Sequence, residues 1–192
     1  MLVSISAMKP DSSGTPAPPA PRRRLPEPMA SVLASLPAAP SPGMVVDALV
    51  PACADLAWIA VPIDGCLRVS TYAHIDPLRL SALADFRKYY APAISDPQSF
   101  MARVFRTGIA ELVRPEALAE VERLVSNPGT TAALIALGAR TSLIAPIVDV
   151  VEPPRVSAIL YTAMSSSGRA VDEDDLADLA LFALALSPKL RW

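Results

Sequence analysis

The sequence predicts an α+β domain in which an antiparallel β-sheet carries helices on its faces. Two pairs of strand-like runs, each joined by turn residues, predict two β-hairpins, and hairpins build antiparallel sheets. Helical patterns stand before, between and after these hairpins. The chain has 192 residues, of which 52% are hydrophobic, and this is enough to form the core of one domain.

The N-terminal segment differs from the rest in composition. Residues 1–42 contain nearly half of the 21 prolines, and stretches such as "TPAPPAPRRRLPEP" favour extended or disordered backbone. We therefore expect a disordered Pro-rich tail, followed by one folded domain over residues 43–192. Arg22, Arg23 and Arg24 are interpreted as solvated charge, and Met29 is an alternative start to Met1.

The folded part is expected to begin with a helix and a hairpin. "GMVVDALVPACAD" places Val46, Leu49 and Val50 on one side of a helix. Two strand-like runs follow, "LAWIAVPI" and "CLRVSTYA". The Asp64-Gly65 pair between them is among the better short-range hairpin signals.

Three helices in the middle of the chain are expected to start in the same way. A capping side chain directly before a proline suits the first turn of a helix. Such pairs occur at Asp76-Pro77, Asp96-Pro97 and Asn127-Pro128. Gly108 and Gly138 should end the second and third of these helices. Between them we expect a short strand, "IAELV", and a helix with Leu118, Val121, Leu124 and Val125 at helical spacing.

A second hairpin and a closing helix complete the prediction. "TSLIAPIVDV" and "RVSAILYTAM" are joined through Glu152, Pro153 and Pro154. Asp172 is a natural N-cap for the last helix, whose acidic first turn suits the helix dipole. That helix is apolar on more than one face. Leu176, Leu179, Ala183 and Leu186 form one stripe, whereas Leu181, Phe182 and Leu184 lie largely elsewhere.

Composition excludes several classes of function. The charge is nearly balanced, with a net charge of −2, and no basic stripe indicates a nucleic-acid partner. No apolar run approaches the ~18 residues of a membrane span. Cys53 and Cys66 are too few for a disulfide framework and lack the spacing of a zinc or redox site. We therefore expect a cytoplasmic protein that binds neither nucleic acid nor membrane.

Four stretches, taken in order, resemble a GAF domain, the small-molecule-sensing module of bacterial signalling proteins. They are "LVPACADLAWIAV", "SFMARVFRTGIAELV", "LGARTSLIAPIVD" and "GRAVDEDDLADLALFALAL", and the similarity covers residues 43–187. The resemblance implies a GAF-like antiparallel sheet with a ligand cavity on one face, roofed by residues 75–140. It implies a non-catalytic sensory or regulatory domain that binds a small molecule, a partner protein or both.

The resemblance also implies a set of residues that face the cavity. An apolar cavity with a few polar groups is the usual form of a small-ligand site. The ligand-binding candidates carried onto this sequence are Tyr72, His74, Phe86, Tyr90, Phe100, Arg103 and Thr141. For Phe86 and Tyr90 the alternative is plain core, because they lie on an apolar helical stripe. For His74 the alternative is a strand-end residue near solvent.

The positions of the cysteines and of the one histidine argue against enzymatic functions on the same fold. Free methionine sulfoxide reductases resemble GAF domains but carry their cysteines in the roof region and beyond, unlike Cys53 and Cys66. A bilin cofactor would need a roof cysteine, and the chain has none there. His74 is the only histidine, so a Ser-His or Cys-His pair with a second histidine and a multi-histidine metal site are excluded within one chain. No metal and no cofactor is therefore predicted.

The closing helix raises the question of a second chain. One stripe should cover the sheet, and the rest must be exposed or paired. Only "SPKLRW" follows it, so we expect the output to lie on a separate signalling protein. The alternatives are a homodimer through the terminal helices, a pure interaction module without ligand, or coverage of the second face by the entry helix.

Overall fold

A computed structural model describes residues 24–117, 128–149, 152–190 and 192. Five strands form one antiparallel sheet in the order β2-β1-β5-β4-β3. The strands are β1 (Leu56–Ile63), β2 (Cys66–His74), β3 (Glu111–Val113), β4 (Thr141–Asp149) and β5 (Arg155–Met164). The helices are α1 (Glu27–Ser35), α2 (Pro42–Leu49), α3 (Leu80–Tyr89), α4 (Phe100–Thr107), α5 (Pro128–Leu137) and α6 (Glu173–Leu186). The α+β prediction is confirmed.

Both predicted hairpins are present. Asp64 and Gly65 have φ angles of 50° and 75°, so both lie in the left-handed region that the tight turn between β1 and β2 requires. Ile63 stands opposite Cys66 at the end of this hairpin. In the second hairpin β4 pairs with β5, and Asp149 stands opposite Arg155.

The alternation of side chains along the strands divides the core into two layers. One layer lies between the sheet and α3, α4 and α5, which we call the roof helices, and its strand residues include Trp58, Ile144 and Tyr161. The other lies between the sheet and α1, α2 and α6, which we call the helix layer, and its strand residues include Ile59 and Leu160. Successive strand residues point to opposite faces and so alternate between the two layers. Since helices lie on both sides, both faces of the sheet are covered.

The helix ends follow the predicted capping chemistry, with one correction. Asp76 accepts a hydrogen bond from the backbone N–H of Leu78 at 3.0 Å and opens a 3₁₀ turn that leads into α3. The second helix does not begin at Asp96-Pro97. It begins at Phe100, because Ser99 accepts from the N–H of Ala102 and caps it instead. Gly108 ends α4 in the left-handed conformation, as predicted.

The expected tail over residues 1–42 contains a helix. Residues 27–35 form α1, in which Met29 and Val32 are buried against the helix layer. Pro28 lies in the first turn, where a proline costs no hydrogen bond. The folded part therefore extends N-terminally of the predicted boundary at residue 43. The prediction for residues 1–23 falls outside the described residues, as does the helix with Leu118, Val121, Leu124 and Val125.

The closing helix α6 buries more than one stripe within the chain. Asp172 caps it, and the side chain of Asp175 returns a bond to the N–H of Asp172. Leu179, Ala183 and Leu186 are buried as predicted, and so is Phe182. Helix α6 packs on β4 and also on α1. The second apolar face is thus covered partly by α1, a helix that the sequence reading placed in the tail.

None of the described helices is both long and apolar enough to cross a membrane.

Candidate functional site

The candidate site is a small cavity between the roof helices and the sheet. Its volume is about 40 Å³. The sheet contributes side chains from β1, β3, β4 and β5, which form the floor of the cavity. The roof helices α3, α4 and α5 contribute the side chains above it. The lining residues are Trp58, Phe86, Tyr90, Phe100, Met101, Val113, Leu134, Ile144 and Tyr161.

Stacked aromatic rings form one wall of this cavity. Trp58 lies almost parallel to Tyr161, with ring centroids 3.7 Å apart and an interplanar angle of 6°. Phe86 lies 5.0 Å from Trp58 and 4.6 Å from Tyr90. Each such contact adds stability beyond simple burial, on the order of 1 kcal/mol. The four rings therefore hold sheet and roof together at the cavity.

The polar atoms of the lining side chains are already hydrogen-bonded within the protein. The indole N–H of Trp58 donates to the sulfur of Met101 at 3.4 Å. The hydroxyl of Tyr90 pairs with Ser99 Oγ at 3.3 Å. The hydroxyl of Tyr161 pairs with Ser142 Oγ. Burial raises the pKa of both tyrosines, so both phenols are neutral near pH 7.

An ion pair lies behind Phe100, at the outer side of α4. Arg103 donates from Nε to Glu111 Oε1 at 2.6 Å and from Nη2 to Oε2 at 2.5 Å. The guanidinium also lies 4.8 Å from the centroid of the Phe100 ring. The hydrogen bond to Glu111 raises the pKa of Arg103. This pair ties α4 to β3 and backs the ring that closes the cavity.

Three of the predicted ligand-binding residues line the cavity, namely Phe86, Tyr90 and Phe100. Arg103 contacts Phe100 but is not part of the lining. Tyr72 stands opposite Trp58 and packs at the edge of the roof-side core, also outside the lining. The predicted residues that line the cavity therefore all lie on its roof side, and none lies on its floor.

Thr141 faces the other side of the sheet. It stands opposite Met164, which belongs to the core layer beneath α1, α2 and α6, and directly opposed residues share a face. The next residue, Ser142, is fully buried on the roof side and holds the hydroxyl of Tyr161. A position shifted by one residue along a strand changes face, so Ser142 occupies the place expected for Thr141.

His74 belongs to a separate buried polar network. It was predicted as a ligand-binding residue but does not line the cavity, and since it is only 8% exposed, the alternative position near solvent is wrong as well. Its Nδ1 accepts from the N–H of Asp76 at 2.8 Å, and its Nε2 lies 3.4 Å from Ser165 Oγ. Burial, with the nearby charge of Arg79, lowers the pKa of His74.

Asp55 completes this network at the same end of the sheet. Its Oδ2 accepts from the N–H of Ser165 at 2.7 Å and from the N–H of Ser167 at 2.8 Å. Burial alone would raise the pKa of Asp55, but these two backbone donors, together with the Ser167 side chain and His74, outweigh it and lower the pKa. Since Nδ1 of His74 is an acceptor, Nε2 carries the proton, and His74 cannot act as a base toward Ser165.

The residues of the floor were missed, although the sequence contained a signal for them. Trp58 and Tyr161 lie in the middle of the two predicted strands "LAWIAVPI" and "RVSAILYTAM". Strict alternation places each of them on the same face as its neighbours two residues away. The missing information was which face the roof would cover, and that depends on strand pairing.

Neither of the two cysteines lines the cavity. Cys53 is buried in the opposite core layer, and burial raises its pKa, which disfavours the reactive thiolate. Cys66 lies at the turn of the first hairpin. Among the described residues, no three histidine, cysteine or acidic side chains are grouped so as to hold a metal ion.

Several solved structures share this fold. The chain resembles the GAF domain of a phosphoenolpyruvate-protein phosphotransferase from Acinetobacter, with a TM-score of 0.59, 12% identity, and 84% of this chain and 89% of that chain covered. The GAF domain of a phosphoenolpyruvate-protein phosphotransferase from Coxiella burnetii has a TM-score of 0.59 and 15% identity, with 85% of this chain and 90% of that chain covered. A type II free methionine-R-sulfoxide reductase from Thermoplasma acidophilum has a TM-score of 0.50 and 10% identity, with 84% of this chain and 92% of that chain covered. No family model and no curated protein matches the sequence. The chain has the GAF fold.

Proposed function

We propose that this protein is a non-catalytic, GAF-type sensory domain of bacterial signal transduction that binds a small molecule between its sheet and its roof helices. The observation that carries the proposal is the cavity itself. It lies on one face of the sheet, and the nine described side chains that line it come from seven elements and include no catalytic pair. A concave, mostly apolar site of this kind is the usual form of a ligand pocket.

The position of the cysteines supports a non-catalytic role. A reductase that works through a nucleophilic and a resolving cysteine needs both thiols at its substrate. Here Cys53 is buried beneath the opposite face of the sheet, and Cys66 lies at the turn of a hairpin. The likeness to the Thermoplasma enzyme concerns the fold, and function depends on the residues at the site.

The sheet offers a route from the cavity to the helix layer. Ile144 lines the cavity, while its neighbour Leu143 packs in the opposite core layer, which includes α6. A ligand that presses on the roof-side residues of β4 therefore acts on a strand that α6 contacts directly. If the ligand binds one arrangement of these elements more tightly, it shifts the population toward that arrangement.

We further propose that the output is carried by a separate signalling protein, in the cytoplasm, which reads the helix layer. A ligand-dependent arrangement of α1 and α6 would change the affinity for that partner by the coupling free energy. Free thiols at both Cys53 and Cys66 support a reducing compartment.

Native mass spectrometry tests the proposal. The purified full chain is weighed under native and denaturing conditions, beside Val113→Leu, which fills the cavity, and Val61→Leu, which makes the same change on the other face of the sheet. We expect a small extra mass in the wild type and in Val61→Leu that is lost in Val113→Leu.

A reductase assay distinguishes the enzymatic alternative. Turnover of free methionine sulfoxide that disappears in both Cys53→Ser and Cys66→Ser would refute the non-catalytic proposal. We expect no such turnover, because the two thiols lie in different parts of the fold.

A further inference from the structure

We infer that the ligand of this cavity is a small, uncharged and apolar molecule of only a few heavy atoms. The inference rests on the proposed function and assigns a chemical class to the molecule that is sensed. Two independent features carry it: the size of the cavity and the state of the polar atoms in its wall.

The size of the cavity limits the ligand. A cavity of about 40 Å³ exceeds the roughly 10–15 Å³ that one water occupies by the same kind of measure. It is several times smaller than the roughly 150 Å³ of an apolar cavity that takes benzene. The space between roof and sheet thus suits a molecule larger than a water and smaller than an aromatic ring.

In the part of the wall that the structure describes, each polar side chain already has a hydrogen-bond partner. Among the nine lining side chains, the hydrogen-bonding groups are the indole of Trp58 and the hydroxyls of Tyr90 and Tyr161, and each has an internal partner. A polar ligand would have to compete with one of these bonds, share a hydroxyl that already has a partner, or remain unpaired. These outcomes oppose binding, because a polar group that is buried with poor or no partners loses its hydration without full compensation.

Charged ligands are excluded by the same reasoning. None of the nine described lining residues carries a charge, and the Arg103 guanidinium behind Phe100 is held by both oxygens of Glu111. Nucleotides, amino acids and carboxylates would enter an apolar space in which these nine residues offer no counter-charge. Transfer of an ion into such surroundings is strongly unfavourable. An apolar molecule loses nothing and fills space that the side chains leave empty.

The test uses defined probes on the full chain. Methyl signals of Met101, Val113, Leu134 and Ile144 are followed by NMR during titration with xenon, benzene or benzoate. We expect saturable shifts with xenon only. Val113→Leu should weaken xenon binding at least ~tenfold by filling the space, while Val61→Leu should leave it unchanged.

An enlarged cavity provides a second, independent readout. Leu134→Ala removes side-chain atoms from the wall and should admit benzene with at least ~tenfold higher affinity than the wild type. Leu134→Met conserves volume and should not. This pair keeps the inference testable if Val113→Leu fails to fold.

The outcomes separate the inference from the proposed function. Saturable shifts of the same methyl signals by benzoate, lost in Val113→Leu, would overturn the apolar class and leave a ligand-sensing function standing. No shift with any probe, together with no bound mass in native mass spectrometry, would overturn both.

Discussion

Asp55 gives the sharpest prediction about what holds the end of the sheet together. This carboxylate is 3% exposed and accepts the backbone N–H groups of Ser165 and Ser167 at 2.7 and 2.8 Å. Hydrogen bonds to a charged group contribute about 1.5–3 kcal/mol each. Asp55→Ala removes the one oxygen that accepts both bonds and leaves two donors unpaired, so the free energy of unfolding should fall by about 3 kcal/mol or more.

Urea unfolding followed by circular dichroism measures this loss. Asp55→Asn retains one oxygen acceptor but loses the charge, and it should fall between Asp55→Ala and the wild type. Asp47→Asn on the exposed side of α2 is the control and should stay within about 0.5 kcal/mol. A loss below about 1 kcal/mol in Asp55→Ala would refute the conclusion that the hydrogen bonds of Asp55 hold the start of β1 to the segment after β5.

Three further predictions concern pH, the floor of the cavity and α1. The pKa of His74 is lowered in the folded state, so folding favours the neutral imidazole. The free energy of unfolding should therefore fall as the pH drops below about 6.5, by at most about 1.4 kcal/mol per pH unit. His74→Gln should flatten this dependence in urea titrations at several pH values. Ser142→Ala leaves the buried Tyr161 hydroxyl without its partner and should cost about 1–3 kcal/mol. Thr141→Ala, on the other face, should cost less in the same assay. Met29→Ala in α1 should cost about 2 kcal/mol by thermal or chemical unfolding, whereas an unstructured tail would predict no change.

The elements that could be predicted are those with local chemical causes. The turn at Asp64-Gly65 needs residues that tolerate positive φ, and an Asp-Gly pair is recognisable in the sequence as such a turn. The ends of helices at Gly108 and Gly138 have the same origin. Such signals depend on a few neighbouring residues, so no knowledge of distant contacts is needed.

The missed helix α1 shows where a compositional argument misleads. Prolines in "RLPEPMASVLASL" suggested a tail, but Pro26 is the N-cap and Pro28 lies in the first turn, where proline is compatible with a helix. Met29, Val32, Leu33 and Leu36 recur at helical spacing and pack on the core. The helical spacing of these apolar residues thus indicates α1, whereas the number of prolines suggested a disordered tail.

The floor of the cavity required contacts that only the folded chain provides. Whether Thr141 or Ser142 faces the roof depends on the register between β4 and β5, and a shift of one residue reverses the answer. The cavity volume depends in turn on how the rings of Trp58, Phe86 and Tyr161 pack. The sequence predicted which elements surround the site but not which side chains meet there.

The covered face of α6 changes what a partner would recognise. The sequence suggested a second chain because Phe182 had no evident place to pack, and in the structure it is fully buried in the core layer to which α1 contributes Met29 and Val32. Leu184 remains 57% exposed, and a single exposed leucine is ordinary for a protein surface. A partner would therefore meet a helix layer whose apolar side chains are already largely buried, so we expect it to depend on polar contacts and on the relative placement of α1 and α6. Since α1 packs on both α2 and α6, a change in the strands that moved α6 would also move the helix that covers it.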